Sequence, residues 1–290
     1  MRLTQLSAAL ALAITASTTA QAQVFSEVVS FGDSLTDAGN IALIDGNVAT
    51  PIGSSFTTNQ DPVFAQILSQ LFGLGPQSNN TPLVPSTSTG TNYAYGGACA
   101  IQNGTPIAVA IPGLPTFTCS NSPGNFSLLS QFSTHLAANG GVADPNALYT
   151  YWAGANDILS ATSVIAPGGF LPNGSILYQY IFVNGGNPAN ANAIAQTVAG
   201  QAGATAIGEV KTLQTAGAKN IVVFNLPDLG KTPQSIAADI ANNNSSASTG
   251  ASALSIVYNT QFNGGLATLA DGIIAIKAIS ASSCATSCQT

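Results

Sequence analysis

Residues 28–40 read VVSFGDSLTDAGN. An apolar run, Val28, Val29, Ser30 and Phe31, breaks into Gly-Asp-Ser and then into residues able to open a helix. This is the pattern of a buried strand with a sharp turn at its C-terminal end. Open α/β sheets hold their ligands at that end. Gly32 permits the tight turn, and Ser34 then stands exposed on it, beside N–H groups of the following helix start that can stabilise an oxyanion. Its hydroxyl is a candidate nucleophile. A second strand-like stretch, residues 91–98 (TNYAYGGA), ends in Gly96 and Gly97, which let the backbone come close to a bound group. A third, residues 147–153, runs into Gly154-Ala155-Asn156-Asp157. The Asn156 amide is a neutral donor, able to hold developing negative charge without adding a titrating group. Asp157 is read as orienting that loop.

Together, FGDSLTDAGN, YGGA and YWAGANDIL resemble successive blocks of the GDSL (SGNH) esterase/lipase family, in the form found in its longer secreted members. The resemblance covers nearly all of the chain after the N-terminal segment. It implies Ser34 as nucleophile and, through its N–H, as an oxyanion donor. Gly97, with Gly96 adjacent, is implied as the second donor and Asn156 as the third. The implied reaction is hydrolysis of carboxylic ester bonds in a small-molecule or lipid substrate, without a metal or organic cofactor. Residues 225–233 (NLPDLGKTP) also look like the secreted members. Gly230-Lys231-Thr232 mimics the end of a phosphate loop, but position 225 is Asn where that loop needs its first Gly, and Pro233 is expected to break the helix.

In the family, a D-x-x-H block after the last strand supplies the base that takes the serine proton. No D-x-x-H occurs in the 290 residues. The single histidine, His135, has Phe132 three residues before it. It falls near the C-terminal end of a helix, roughly 20 Å from the serine for a six-residue strand at about 3.3 Å per residue. A position on the helix surface is expected for it. Loss of the base in serine hydrolases costs about 10⁴ to 10⁶ in turnover, so the chain reads as a hydrolase by architecture with little activity. Two other readings stand beside this one. One is an SGNH scaffold without a base that binds acyl or glycan surfaces; the other is a fragment of a longer, autotransporter-type esterase, its C-terminus altered by a premature stop or frameshift.

Composition sets the frame for these elements. Only 6% of residues are charged, against about 25% on average, so amides and hydroxyls must solvate the surface. A net charge of −6 with five Lys and Arg leaves nothing to neutralise a run of phosphates and disfavours nucleic-acid binding. Residues 1–22 read as a secretory signal with an A-x-A site ending at Ala22. The remainder, 23–290, is expected to be one domain, exported to a secreted or periplasmic location, monomeric and without a transmembrane segment. Four cysteines suit an oxidising compartment, and Cys99–Cys119 with Cys284–Cys288 is the preferred pairing of three. Neither pair has the C-x₂-C spacing of a zinc site, and one histidine excludes two-His zinc motifs.

Strands at 28–31, 91–98, 147–153, 219–226 and 273–276 alternate with helices at 63–71, 126–139, 189–216 and 251–270. The order predicts an α/β fold, a three-layer α/β/α sandwich around a central, mostly parallel five-stranded sheet of SGNH/flavodoxin-like type. Asp61-Pro62 is expected to cap the first helix. In the second, Leu129, Phe132 and Leu136 form the apolar stripe, and 241–250 reads as a polar linker. With no helix expected after the last strand, part of one sheet face should be uncovered.

Overall fold

A computed structural model describes residues 25–44, 61–80, 90–119, 127–162, 176–269 and 272–276. The signal-like segment, Cys284 and Cys288 lie outside them. Four strands form one parallel sheet in chain order: β1 (Val28–Gly32), β2 (Leu148–Trp152), β3 (Asn220–Phe224) and β4 (Ile273–Ile276). The helices are α1 (Asn40–Ile44), α2 (Phe64–Leu71), α3 (Leu128–Ala138), α4 (Ala155–Thr162), α5 (Ile176–Tyr178, continuing as a π-helical turn Gln179–Val183), α6 (Ala191–Thr215), α7 (Pro233–Asn242) and α8 (Ser246–Leu266).

Neighbours in this sheet are also neighbours in the chain, so successive right-handed crossovers return on the same side. The main core lies on one face accordingly. Val29, Phe31, Tyr149, Tyr151, Ile221 and Val223 meet Phe132 of α3, Ile158 of α4, Val198 and Val210 of α6, and Tyr258 and Phe262 of α8. Gly203 lets α6 approach α8 closely; a Cβ there would lie 2.8 Å from the Tyr258 carbonyl oxygen. Period-2 alternation sends Val28, Leu148 and Val222 to the other face, where Leu68, Phe72, Leu74 and Phe224 pack around them. Among the described residues, the helical cover of this face comes from α2. The expected sandwich is therefore lopsided, with a groove of about 370 Å³ on the thinner side. Phe25, Phe64, Leu68, Leu71, Val222 and Phe224 are among its wholly apolar lining.

Four strands, not five, build the described sheet. Residues 91–95 do run parallel to β1 on its free side: the Ser30 N–H donates to Thr91 O (2.9 Å), Tyr93 N–H to Ser30 O (2.8 Å) and Tyr95 N–H to Gly32 O (3.1 Å). Their pairing with β1 amounts to an isolated bridge, Ser30 with Asn92, and Asn92 makes a second such bridge with Asn79. The ladder is interrupted at Gly32, whose N–H turns instead to the side chain of Gln131 (2.9 Å).

Four local features differ from expectation. The buried stripe of α3 is Leu128, Gln131, Phe132 and His135, while Leu129 is 40% exposed. At the start of α2, the N-cap is Val63 rather than Asp61-Pro62, and its N–H is taken by Gln66 Oε1 at 3.1 Å. The supposed linker 241–250 is mostly helix: Asn243 closes α7 at φ 50°, and the Asp239 carboxylate accepts the N–H groups of Ala247 and Ser248 at the start of α8. A run of Asn and Ser reads as a loop by composition, yet it supplies the left-handed cap that such a tight break requires. Thr232 likewise caps α7 and Pro233 opens it, rather than breaking a helix.

The thinner face gives a direct expectation. Leu71, 76% exposed, borders the groove, and exposed apolar patches of several hundred Å² are uncommon on soluble monomers. The purified chain should enhance the fluorescence of 8-anilinonaphthalene-1-sulfonate. Leu71→Lys should reduce both that signal and aggregation while changing stability by no more than about 0.5 kcal/mol, as for other exposed positions, measured by urea unfolding.

Candidate active site

The C-terminal ends of β1 and β2 are in register, Gly32 opposite Trp152, and the Asp33 N–H donates to Trp152 O at 3.3 Å. The two chains therefore leave the sheet side by side. After β1 the backbone makes a tight turn in which Thr36 N–H and Asp37 N–H both donate to Asp33 O (3.0 Å each). Ser34 occupies the turn and is half-buried. No helix begins directly behind it, contrary to expectation: α1 starts at Asn40, three residues past the turn's end at Asp37. Gly32 is required at the pivot, because a Cβ would lie 2.5 Å from Thr36 Oγ1 and 2.7 Å from Trp152 O.

One accepting carboxylate and two donating amides tie this turn to the second one, at Gly96–Gly97. The Asp37 carboxylate accepts from the N–H groups of Gly39 (2.7 Å), Asn40 (2.6 Å) and Ile41 (3.3 Å), and from Gly96 across the gap (2.8 Å). Asn40 Nδ2 donates to the carbonyls of Asn92 and Ala94, and Asn92 Nδ2 to Thr36 O. Gly97 has φ 82°, a conformation open to glycine. Behind it the Cys99–Cys119 disulfide, one of the two expected pairs, closes the 20-residue excursion between them. The Cys119 sulfur packs 3.2 Å from the Gly97 carbonyl oxygen.

The third turn is locked to the second. Asn156, near the N-terminus of α4 and buried, donates from Nδ2 to Ala98 O at 3.0 Å. The neighbouring Asp157 carboxylate accepts the N–H groups of Ala100 (2.9 Å) and Ile101 (2.7 Å), in the segment after the second turn. Gly154 makes the bend at φ 116°, and a Cβ there would run into the Tyr258 ring. The Tyr258 hydroxyl donates to Ala153 O at 2.7 Å, so α8 braces this turn from below. Ser34, Gly97 and Asn156 thus sit on three adjoining turns at one edge of the sheet.

His135 belongs elsewhere. It is buried, not on the helix surface, with its ring edge-on to Phe31, Tyr93 and Tyr149, and its Nε2 has no hydrogen-bond partner. Burial pushes its pKa down to about 4. It lies one helical turn beyond Gln131, whose side chain reaches Gly32, and so is directed toward the middle of the strands and away from the Ser34 turn. Burial also pushes the carboxyls of Asp33 and Asp157 up to about 7, and those of Asp37 and Glu209 upward. Among the described residues, no group of three or more His, Cys, Asp or Glu is arranged to hold a metal. Asp33, Gln131 and Tyr258 went unread in the sequence; the polar residue inside an apolar helical stripe was the available signal for Gln131.

The sequence profile of the family described as GDSL-like Lipase/Acylhydrolase matches residues 28–272. A Pseudomonas putida protein described as an uncharacterized protein in the trpE-trpG intergenic region is 33% identical over 228 residues, covering 72% of this chain and 30% of that protein. Lipase 1 of Photorhabdus luminescens is 27% identical over 225 residues, covering 77% of this chain and 25% of its own length. The chain spans less than a third of either relative.

Two outcomes follow from the buried groups. Gly154→Ala should cost about 2–5 kcal/mol in urea unfolding, combining a left-handed alanine with overpacking against Tyr258. Between about pH 4 and pH 7 the unfolded chain releases protons that folded Asp33 and Asp157 retain, so stability falls as pH rises. His135 acts oppositely between about 4 and 6.5, where the unfolded chain binds the extra proton. Two carboxyls shifted by about three units outweigh one imidazole shifted by about 2.5. The Tm should therefore be higher at pH 5 than at pH 7.5, and Asp157→Asn should flatten the difference.

Proposed function

We propose that this chain, which belongs to the GDSL-like lipase/acylhydrolase family, is an exported, monomeric serine hydrolase acting on carboxylic ester bonds of small-molecule or lipid substrates. The observation that carries the reading is the stitching of three turns at one sheet edge, with Asp37 joining the first to the second and Asn156 the second to the third. Ser34 attacks the ester carbonyl. The Ser34 and Gly97 N–H groups and the Asn156 amide hold the resulting oxyanion, each such donor being worth about 10²–10³ in rate. The Cys99–Cys119 disulfide supports export to an oxidising compartment.

The proton relay is the slow part of this proposal. His135 faces the aromatic core, and its lowered pKa makes it a weaker base than a free imidazole. Without an adjacent base the serine is a poor nucleophile, so hydrolysis by the 290-residue chain is slow. The same observation favours a second reading, in which the scaffold binds acyl or glycan groups without turning them over.

A fluorophosphonate probe and p-nitrophenyl esters separate the two. Slow covalent capture located at Ser34 by mass spectrometry, abolished in Ser34→Ala, together with weak Ser34-dependent ester turnover, is the expected result. Absence of both in a folded protein that still binds an acyl ligand would leave the binding reading.

A further inference from the structure

Gln131 lies outside the three turns, on α3, and is 1% exposed. Both ends of its side-chain amide engage one residue: Oε1 accepts the Gly32 N–H at 2.9 Å, and Nε2 donates to the Gly32 carbonyl at 2.9 Å. Gly32 is the last residue of β1, two positions before Ser34. We propose that Gln131 is a positioning residue for Ser34, a side-chain rung that fixes the peptide from which the nucleophile turn departs; the inference rests on Ser34 being the nucleophile.

The hydrogen-bond ladder along β1 shows what Gln131 replaces. In a parallel pair, N–H and C=O of every second residue face the same neighbour. Ser30 faces residues 91–93 in this way, and Gly32 is the next residue to face that side. A regular strand would give the Gly32 N–H to the backbone carbonyl of Tyr93. Gln131 Oε1 takes that N–H instead, while the Gly32 carbonyl accepts both Gln131 Nε2 and, at 3.1 Å, the Tyr95 N–H. The segment is then free to diverge toward Gly96–Gly97 without leaving a buried N–H unpaired. On its other side, the chain is held by the Asp33 N–H bond to Trp152 O. One amide thus satisfies the Gly32 N–H at the end of the strand and sets the direction in which Ser34 leaves the sheet. No charge is involved, which suits a site already crowded with buried carboxyls.

Two variants and two readouts test this. Gln131→Leu puts an apolar side chain of similar size at that position of α3 and removes both bonds. Gln131→Glu, when ionised, accepts from Gly32 N–H but cannot donate to its carbonyl; protonated, it does both. In fluorophosphonate labelling of Ser34, Gln131→Leu should lower kinact by about 10- to 100-fold, the scale of a misplaced reacting group, with KI within about two-fold of wild type. The ratio of kinact for Gln131→Glu to that of wild type should rise as pH falls, because the introduced carboxyl regains its donor. A structural role alone would not produce that pH-dependent rescue.

Hydrogen exchange reads the clamp without any chemistry. Gln131→Leu should speed exchange within residues 28–40 by about ten-fold or more while β3 keeps its wild-type rate. If the wild-type chain is not labelled at all, the nucleophile reading fails by itself, and exchange still decides whether Gln131 orders the turn. The proposal is overturned by unchanged exchange in residues 28–40, or by labelling rates that are unaffected in both variants or show a pH-independent ratio.

Discussion

The candidate site depends on backbone N–H groups at the ends of parallel strands finding acceptors. Turns at the edge of a sheet expose N–H groups that no ladder satisfies, and each one buried without a partner is costly. Asp37 and Asp157 meet that demand. Asp37 gathers four N–H groups from two segments far apart in the chain, and Asp157 gathers two from the segment that follows Gly97. Burial raises the pKa of each carboxyl and the N–H donors pull it back down. In a chain with so few cations, backbone dipoles take the part that lysine or arginine would play. The geometry of the candidate oxyanion donors is a consequence of these two knots.

Sheet order decides the rest of the architecture. Strands laid down in sequence, each joined to the next by a helical crossover, collect α3, α4, α6 and α8 on one face. That face contains the small-residue contact between α6 and α8 and the tyrosine that braces Gly154. The opposite face has α2 and an apolar groove. The same topology that assembles the candidate site at one edge thus leaves the protein with an uneven hydrophobic cover. The site and the thinner face meet at Trp152, which stacks on Phe224 and packs edge-on to Phe64 while its carbonyl receives the Asp33 N–H.

The short-range features were legible in the sequence because their causes are short-range. A run rich in β-branched or aromatic residues breaking at glycine marks a strand and its turn, and the Ser34, Gly97 and Asn156 turns each carry that signature. The four strands of the sheet and the Cys99–Cys119 pairing could be read the same way. What failed depended on partners distant in sequence. The 91–98 stretch has strand chemistry throughout, but a glutamine some 40 residues later interrupts its ladder. His135 and Gln131 face inward because Gly32 and the ring cluster of Phe31, Tyr93 and Tyr149 receive them. Apolar periodicity favoured Leu129 for that stripe, and Leu129 is exposed. The Asn-Ser run at 241–250 folds as two helix ends because Asp239 caps the second.

Ester hydrolysis at this edge requires the three turns to converge on a single oxygen. A crystal structure of the chain phosphonylated at Ser34 tests it most directly, since the phosphoryl oxygen stands where the ester oxyanion would be. The account predicts that oxygen at about 2.7–3.1 Å from the backbone nitrogens of Ser34 and Gly97 and from Asn156 Nδ2. A phosphoryl oxygen turned to solvent, with Gly97 and Asn156 out of reach, would contradict it.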